Sequence, residues 1–218
     1  MQILEVFLRG ERDYVQGTQM IARVADAASL EGGVFQQAEF HRKTLNRVAL
    51  DVDGAATPED TVAKVHFQAE GQAGLQSYSL CELPDQATRR DIPLPIAVAR
   101  QSGPDASFAD ATDASIWQWR DAQGFEDVLN AIVQIIRGEH SVRWPGSRDV
   151  WLTGFRRLNL PVAPAKASAG TMQLKLWRRM GAGVAGAEQT VWQFDLPELG
   201  VAGMSTFAFK PAGVSDGH

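Results

Sequence analysis

The stretch RDYVQGTQMIARVADAASL, Arg12 to Leu30, holds the residues whose types and spacing best suit chemistry. A polar turn containing glycine leads straight into an apolar helical pattern. Tyr14, Gln16 and Thr18 bring hydrogen-bonding side chains to the mouth of that helix, around Gly17. The first N–H groups of a helix have no partner inside it, and they carry partial positive charge. Aimed at a carbonyl, they stabilise an oxyanion or enolate. A glycine lets a ligand approach the backbone closely, and Gln16, Gly17 and Thr18 are the candidate binding residues. Asp13 adds a carboxylate beside them. The competing reading is a plain helix start, with Thr18 or a neighbour as the cap, Tyr14 packed and Asp13 an ordinary first-turn acid.

A proton-transfer role needs a titratable group within hydrogen-bond reach. His41, in EFHRK, follows the helix in sequence, and with Asp13 and Tyr14 it makes up the candidate catalytic set. Strand side chains alternate, so His41 faces solvent if Phe40 points inward, and His66 before Phe67 obeys the same logic. His140 reads as a loop residue beside Glu139. No His or Cys cluster has metal-ligand spacing, and neither a phosphate-binding Gly-Lys-Ser/Thr loop nor a G-x-S-x-G elbow is present. No metal and no cofactor are expected. GAGVAG, Gly181 to Gly186, reads as a hairpin turn. Glu126 and Asp127 sit where acids stabilise a helix start in any case.

The elements that must position these residues follow from periodicity. Gln2 to Leu8 reads as a strand. Met20, Ile21, Val24, Ala25 and Ala28 form one helix face, stopped by LEGG. VFQQAEFHRKTLNRVALDVD reads as one long or bent strand, TVAKVHFQAE and LQSYSLCEL as two more. PDQATRRDIPLPIAVARQSGPDASFADATD, rich in Pro and small polar residues, reads as a connection. The order then returns: strand ASIWQWR, and helix FEDVLNAIVQIIR with Phe125, Val128, Leu129, Ile132 and Ile136 on one face, widened by Val133 and Ile135. GEHSVRWPGSRD reads as a loop. VWLTGFRRLNLPVAPAKA, TMQLKLWRR, TVWQFDL and MSTFAFKP supply the remaining strands, and GVSDGH is a terminal tail.

Strand, helix, then several strands thus appear twice, the mark of an internal duplication. The boundaries are 1–84 for the first repeat, 85–113 for a linker and 114–218 for the second. AEFHRKTLNRVALD against TGFRRLNLPVAPAK is the best local match.

A long helix wrapped by an antiparallel sheet, in tandem, resembles a double hotdog, an α+β fold. The resemblance is to the FabZ/FabA-like dehydratase and thioesterase group. YVQGTQMIARVADAA resembles the glycine turn and central helix of those dehydratases, with Gly17 on the helix-opening glycine. GFRRLNLPVAPAK resembles the strand after the helix. The resemblance implies an acyl thioester, on coenzyme A or an acyl carrier protein, as ligand, and dehydration or hydrolysis as reaction. The family's histidine ahead of the glycine turn is absent from FLRGERDYV. Its helix acid falls on Ala22 in the first half, and on Leu129 or Ala131 in the second. A catalytically inactive scaffold or ligand-sensing subunit is therefore the alternative, and a lipocalin-like barrel a third. Arg89-Arg90, Arg156-Arg157 and Arg178-Arg179 are solvated by default; converged, they would meet the phosphates of such a carrier.

Bulk properties bound these readings. The 218 residues are 44% hydrophobic and 22% charged, enough for a sizeable core, with a net charge of −5. That balance argues against nucleic acid as the partner. The one cysteine, Cys81, forms no intramolecular disulfide. MQILEVFLRGERD lacks a signal-peptide pattern, and no window reaches a membrane span, so the expectation is cytoplasmic. The six tryptophans crowd the second half and suit an apolar pocket or a homodimer face.

Overall fold

The helical stripe of the first half is realised as α1 (Gly17–Ala27), which buries Met20, Ile21, Val24 and Ala25 together with the polar Thr18 and Gln19. In this computed structural model the described residues are 1–9, 15–52, 54, 57–91, 96–101, 114–163, 169–181 and 187–212. They form two compact units. One comprises 1–95, 124–126 and 159–164; the other comprises 96–123, 127–158 and 165–218. Among the described residues no helix is long and apolar enough to cross a membrane.

The first unit contains β1 (Gln2–Ile3), β2 (Leu8–Arg9), α1, β3 (Val34–Phe40), β4 (Asn46–Asp51), β5 (Thr61–Gln68), β6 (Leu75–Ala87) and β7 (Arg90–Asp91). Its sheet runs β1-β4-β6-β5-β3, antiparallel throughout. A later segment, β11 (Leu160–Pro161), pairs with β3 through Leu160 and Phe35. β2 and β7 form a small parallel pair. The imperfect alternation of β5 has a local cause: the register slips between Thr61 and Ala63, so Val62 and Ala63 are both fully buried. Phe35, Phe67 and Phe125 pack ring to ring in this unit's core.

Two strand expectations change. Residues 34–52 do not form one strand, because the chain turns after Phe40 and β4 pairs with β6 instead of β3. Thr44 holds that turn: its carbonyl accepts the N–H of Val15 at 2.8 Å, and its hydroxyl donates to Glu82 at 2.5 Å. Likewise Gln2 to Leu8 is not one strand. The N–H of Val6 folds back to the carbonyl of Leu4 at 3.1 Å, which breaks the extension. β6 in turn runs on to Ala87, into the stretch whose prolines suggested a connection.

The second unit contains β8 (Ala97–Arg100), β9 (Ala114–Arg120), most of α2 (Phe125–Arg143), β10 (Arg148–Arg156), β12 (Ala169–Met180), β13 (Glu188–Leu196) and β14 (Val201–Lys210). Its antiparallel order is β10-β14-β13-β12-β9-β8. The expected face of α2 is buried, Val133 and Ile135 included. The helix does not stop at Arg137, however. It continues through GEHSVR, so Glu139 and His140 are helical rather than in a loop. Gly138 is a packing glycine there. A Cβ on it would lie 2.6 Å from the ring of Trp117, and the Glu139–Arg143 pair at 2.7 Å spans the following turn. The tail GVSDGH lies outside the described residues.

Candidate functional site

The start of α1 has an unusual polarity. Gln16 precedes the helix in an extended conformation, its side chain caps nothing, and the first turn holds no acid. The N-cap side chain thus supplies no acceptor for the partial positive charge of the helix start. Gly17 is explained by a close approach: a Cβ there would lie 2.4 Å from Cζ of Phe40. The space freed by the glycine is filled by that ring.

One turn in, Gln19 is fully buried. Its Oε1 accepts the backbone N–H of Phe7 at 2.9 Å. An N–H can only donate, so the oxygen must face Phe7 and the NH2 must face away. Among the described residues that NH2 has no partner. A buried donor left unmet costs roughly 1–3 kcal/mol, so its retention asks for an explanation. Phe7 also lines a cavity of about 470 Å³, together with Leu4, Glu5, Val6, Arg47, Gln86, Ala87 and Arg89. Phe7 thus touches the Gln19 oxygen through its N–H and also borders the cavity, while the spare NH2 faces away from Phe7.

Gln16, Gly17 and Thr18 stand together at the helix start, with Thr18 only 2% exposed. His41 lies just past β3, exposed to solvent, with its N–H bonded to the Val62 carbonyl at 2.9 Å. It adjoins the ring that covers Gly17 but projects into water. Asp13 and Tyr14 lie outside the described residues. Asp127 accepts the N–H of Gln123 at 2.8 Å, the capping role expected of a first-turn acid.

A second polar cluster lies at the far end of α2. Glu139 is fully buried and accepts from Trp117 Nε1 at 2.9 Å, Arg143 Nε at 2.7 Å and Arg100 Nε at 3.1 Å. Burial alone would raise its pKa; the hydrogen bonds from Trp117 and Arg143 outweigh it and hold the carboxyl below its ordinary value. His140, also fully buried, accepts from Trp192 Nε1 at 3.1 Å through Nε2 and lies 2.9 Å from the Thr190 hydroxyl. An indole N–H only donates, so the imidazole proton sits on Nδ1. The rings of Trp144, Trp192, Phe207 and Phe209 close around it at centroid distances of 4.8 to 5.9 Å. Burial, helped by the Arg143 charge, lowers its pKa to about 4, so it is neutral at pH 7. The Glu139 oxygens are met by Trp117, Arg143 and Arg100, whereas the buried His140 Nδ1 has no partner among the described residues.

The sequence reading passed over Gln19 and placed Glu139 and His140 in a loop instead of in α2. Gln19 directly precedes the apolar stripe that opens at Met20, so its spacing did not mark it as buried. Glu139 and His140 continue the spacing of Ile132 and Ile136, a signal masked by Gly138.

Comparison with known proteins gives the fold neighbourhood. No protein-family model matches the chain, and no curated protein matches its sequence. The solved structures that resemble it are hotdog-fold proteins. One is a conserved protein of unknown function with a hotdog fold from Alicyclobacillus acidocaldarius, at TM-score 0.48 and 11% identity, covering 93% of this chain and 89% of that one. Another is a tesB protein from Mycobacterium avium subs paratuberculosis, at TM-score 0.49 and 8% identity over 94% of this chain and 90% of that one. The dehydratase domain of RzxB from Pseudomonas fluorescens follows at TM-score 0.45 and 11% identity, covering 96% and 88%.

Proposed function

We propose that this chain is a double-hotdog protein whose first unit binds an acyl thioester, on coenzyme A or an acyl carrier protein, at the start of α1. The observation that carries the reading is the Gln19 amide: buried, oriented by Phe7 and left with a donor to spare among the described residues, in the first turn of a helix whose N-cap side chain caps nothing. A thioester carbonyl offers the acceptor this donor lacks, and helix-start N–H groups suit the charge that develops on its oxygen during reaction. Gln16, Gly17 and Thr18 form the rim. Phe40 must swing aside for a ligand to reach Gly17, since its ring occupies that space.

Dehydration or hydrolysis at this site would draw its proton carrier from Asp13, Tyr14 or His41. The described residues of the rim bring amide and hydroxyl donors but no buried carboxylate or imidazole. That supports the second reading, a binding or sensing subunit without turnover.

The test is a thermal-shift series with acyl-pantetheines of increasing chain length. A ligand selective for the folded state raises the midpoint by mass action. Gln19→Glu keeps an acceptor for Phe7 but replaces the spare donor with a negative oxygen, and it should abolish the shift. No shift in the wild-type protein with any thioester would contradict the reading. Product formation from the same ligands separates the enzyme from the sensor.

A further inference from the structure

We propose that the cavity lined by Arg47 and Arg89 is a binding site for a small anion, a phosphate or carboxylate on a molecule that also carries a hydrogen-bond donor. At about 470 Å³ it falls within the size range of small-molecule sites, roughly 300–1,000 Å³. Its walls come from three places in the first unit: the segment Leu4 to Phe7, Arg47 on β4, and the run Gln86 to Arg89 at the end of β6. These walls are tied together by backbone bonds, Leu4 N–H to the Val48 carbonyl at 2.9 Å and Leu8 N–H to the Arg89 carbonyl at 2.8 Å. Backbone bonds therefore tie both ends of the Leu4 to Phe7 segment to the neighbouring walls, and Glu5, Arg47, Gln86, Ala87 and Arg89 line the cavity as exposed residues open to solvent.

The charges on the lining point to the ligand. Arg42, on the approach to the same strand, is paired with Glu82 at 3.0 Å. Neither Arg47 nor Arg89 has a side-chain partner among the described residues, though both border the same space. A guanidinium presents a rigid fork of donors matched to the paired oxygens of phosphate or carboxylate. The cavity also carries one acid, Glu5, so two positive charges and one negative leave it net positive inside a chain whose net charge is −5. A local reversal of sign concentrates anions at the cavity. Glu5 and Gln86 supply acceptors for a hydroxyl, amide N–H or ammonium on the same ligand.

The site stands on its own lining and does not rest on the thioester reading, although Phe7 borders both places. The probes are inorganic pyrophosphate, phosphate and succinate, titrated against the full chain by calorimetry at constant ionic strength, with potassium chloride as the control. Succinate against the phosphates distinguishes the two anion sources. Unacylated coenzyme A tests whether the anion is the carrier end of a thioester, and an acyl-pantetheine without phosphate tests the α1 site alone. Arg47→Ala and Arg89→Ala should each weaken the best anion about tenfold or more, while the ligand-free melting midpoint stays put. Arg89→Lys should recover only part of the loss, because it restores the charge without the fork. Glu5→Gln should tighten the same anion, a gain that damage to the fold does not produce. Heat that matches the chloride control for every probe would overturn the proposal, and so would binding that is indifferent to both arginines.

Discussion

The two helices make opposite use of buried polar groups. At the end of α2, Glu139 gathers an indole and two guanidiniums, and His140 sits in a box of aromatic rings. At the start of α1, Gln19 spends its oxygen on a backbone N–H and leaves its nitrogen unmet. Around Glu139 the arrangement is completed by the chain itself and reads as structure, while the neighbouring His140 Nδ1 stays unmet among aromatic rings. The α1 arrangement leaves a donor unmet near the helix start and reads as a place for a ligand. Burial of a polar side chain does not separate the two cases. What separates Glu139 from Gln19 is whether the hydrogen bonds are completed from within.

The comparison breaks most visibly if α2's cluster proves dispensable to stability. Glu139→Ala would remove the acceptor shared by Trp117 and two arginines, and should destabilise the protein by roughly 3–5 kcal/mol in urea denaturation. A loss under about 1 kcal/mol would show that the cluster is not structural. Next comes the pH dependence. His140 is lowered from 6.5 to about 4 in the folded protein, so the unfolded chain takes up the proton first. Its contribution is fully present above pH 6.5 and is lost as pH falls through about 4. The expected loss is roughly 3 kcal/mol across that window, and His140→Phe should flatten the curve there. A smaller effect sharpens the contrast in glycine use. Gly138→Ala, though it gains helix propensity of about 1 kcal/mol, should still destabilise by roughly 1–3 kcal/mol, because Trp117 is pinned by Glu139. Gly17→Ala should cost less, because the half-buried Phe40 ring has room to move.

Much of this was legible in the residues. The apolar stripes from Met20 to Ala25 and from Phe125 to Ile136 gave both helices, and the alternation around Val65 and Trp119 gave the strands. Boundaries were harder for local reasons. Gly138 looks like a stop, but it is kept in the helix by a tryptophan distant in sequence. The bend after Phe40 depends on Thr44 reaching Val15 and Glu82. The site was half legible. Helix-start polarity is written in Gln16, Gly17 and Thr18. That Phe40 fills the space at Gly17, that Phe7 orients Gln19 and that Arg47 and Arg89 line one cavity are facts of tertiary structure that no spacing encodes.

The central claim is that Gln19 holds a donor in reserve for a ligand, and its own side-chain amide reports on that directly. In a nitrogen-15 NMR spectrum the Gln19 NH2 pair is identified by its disappearance in Gln19→Leu. On titration with an acyl-pantetheine, the claim predicts a downfield shift of that pair that saturates with the thermal stabilisation. A Gln19 pair that stays fixed while the ligand binds and stabilises the protein elsewhere would contradict it.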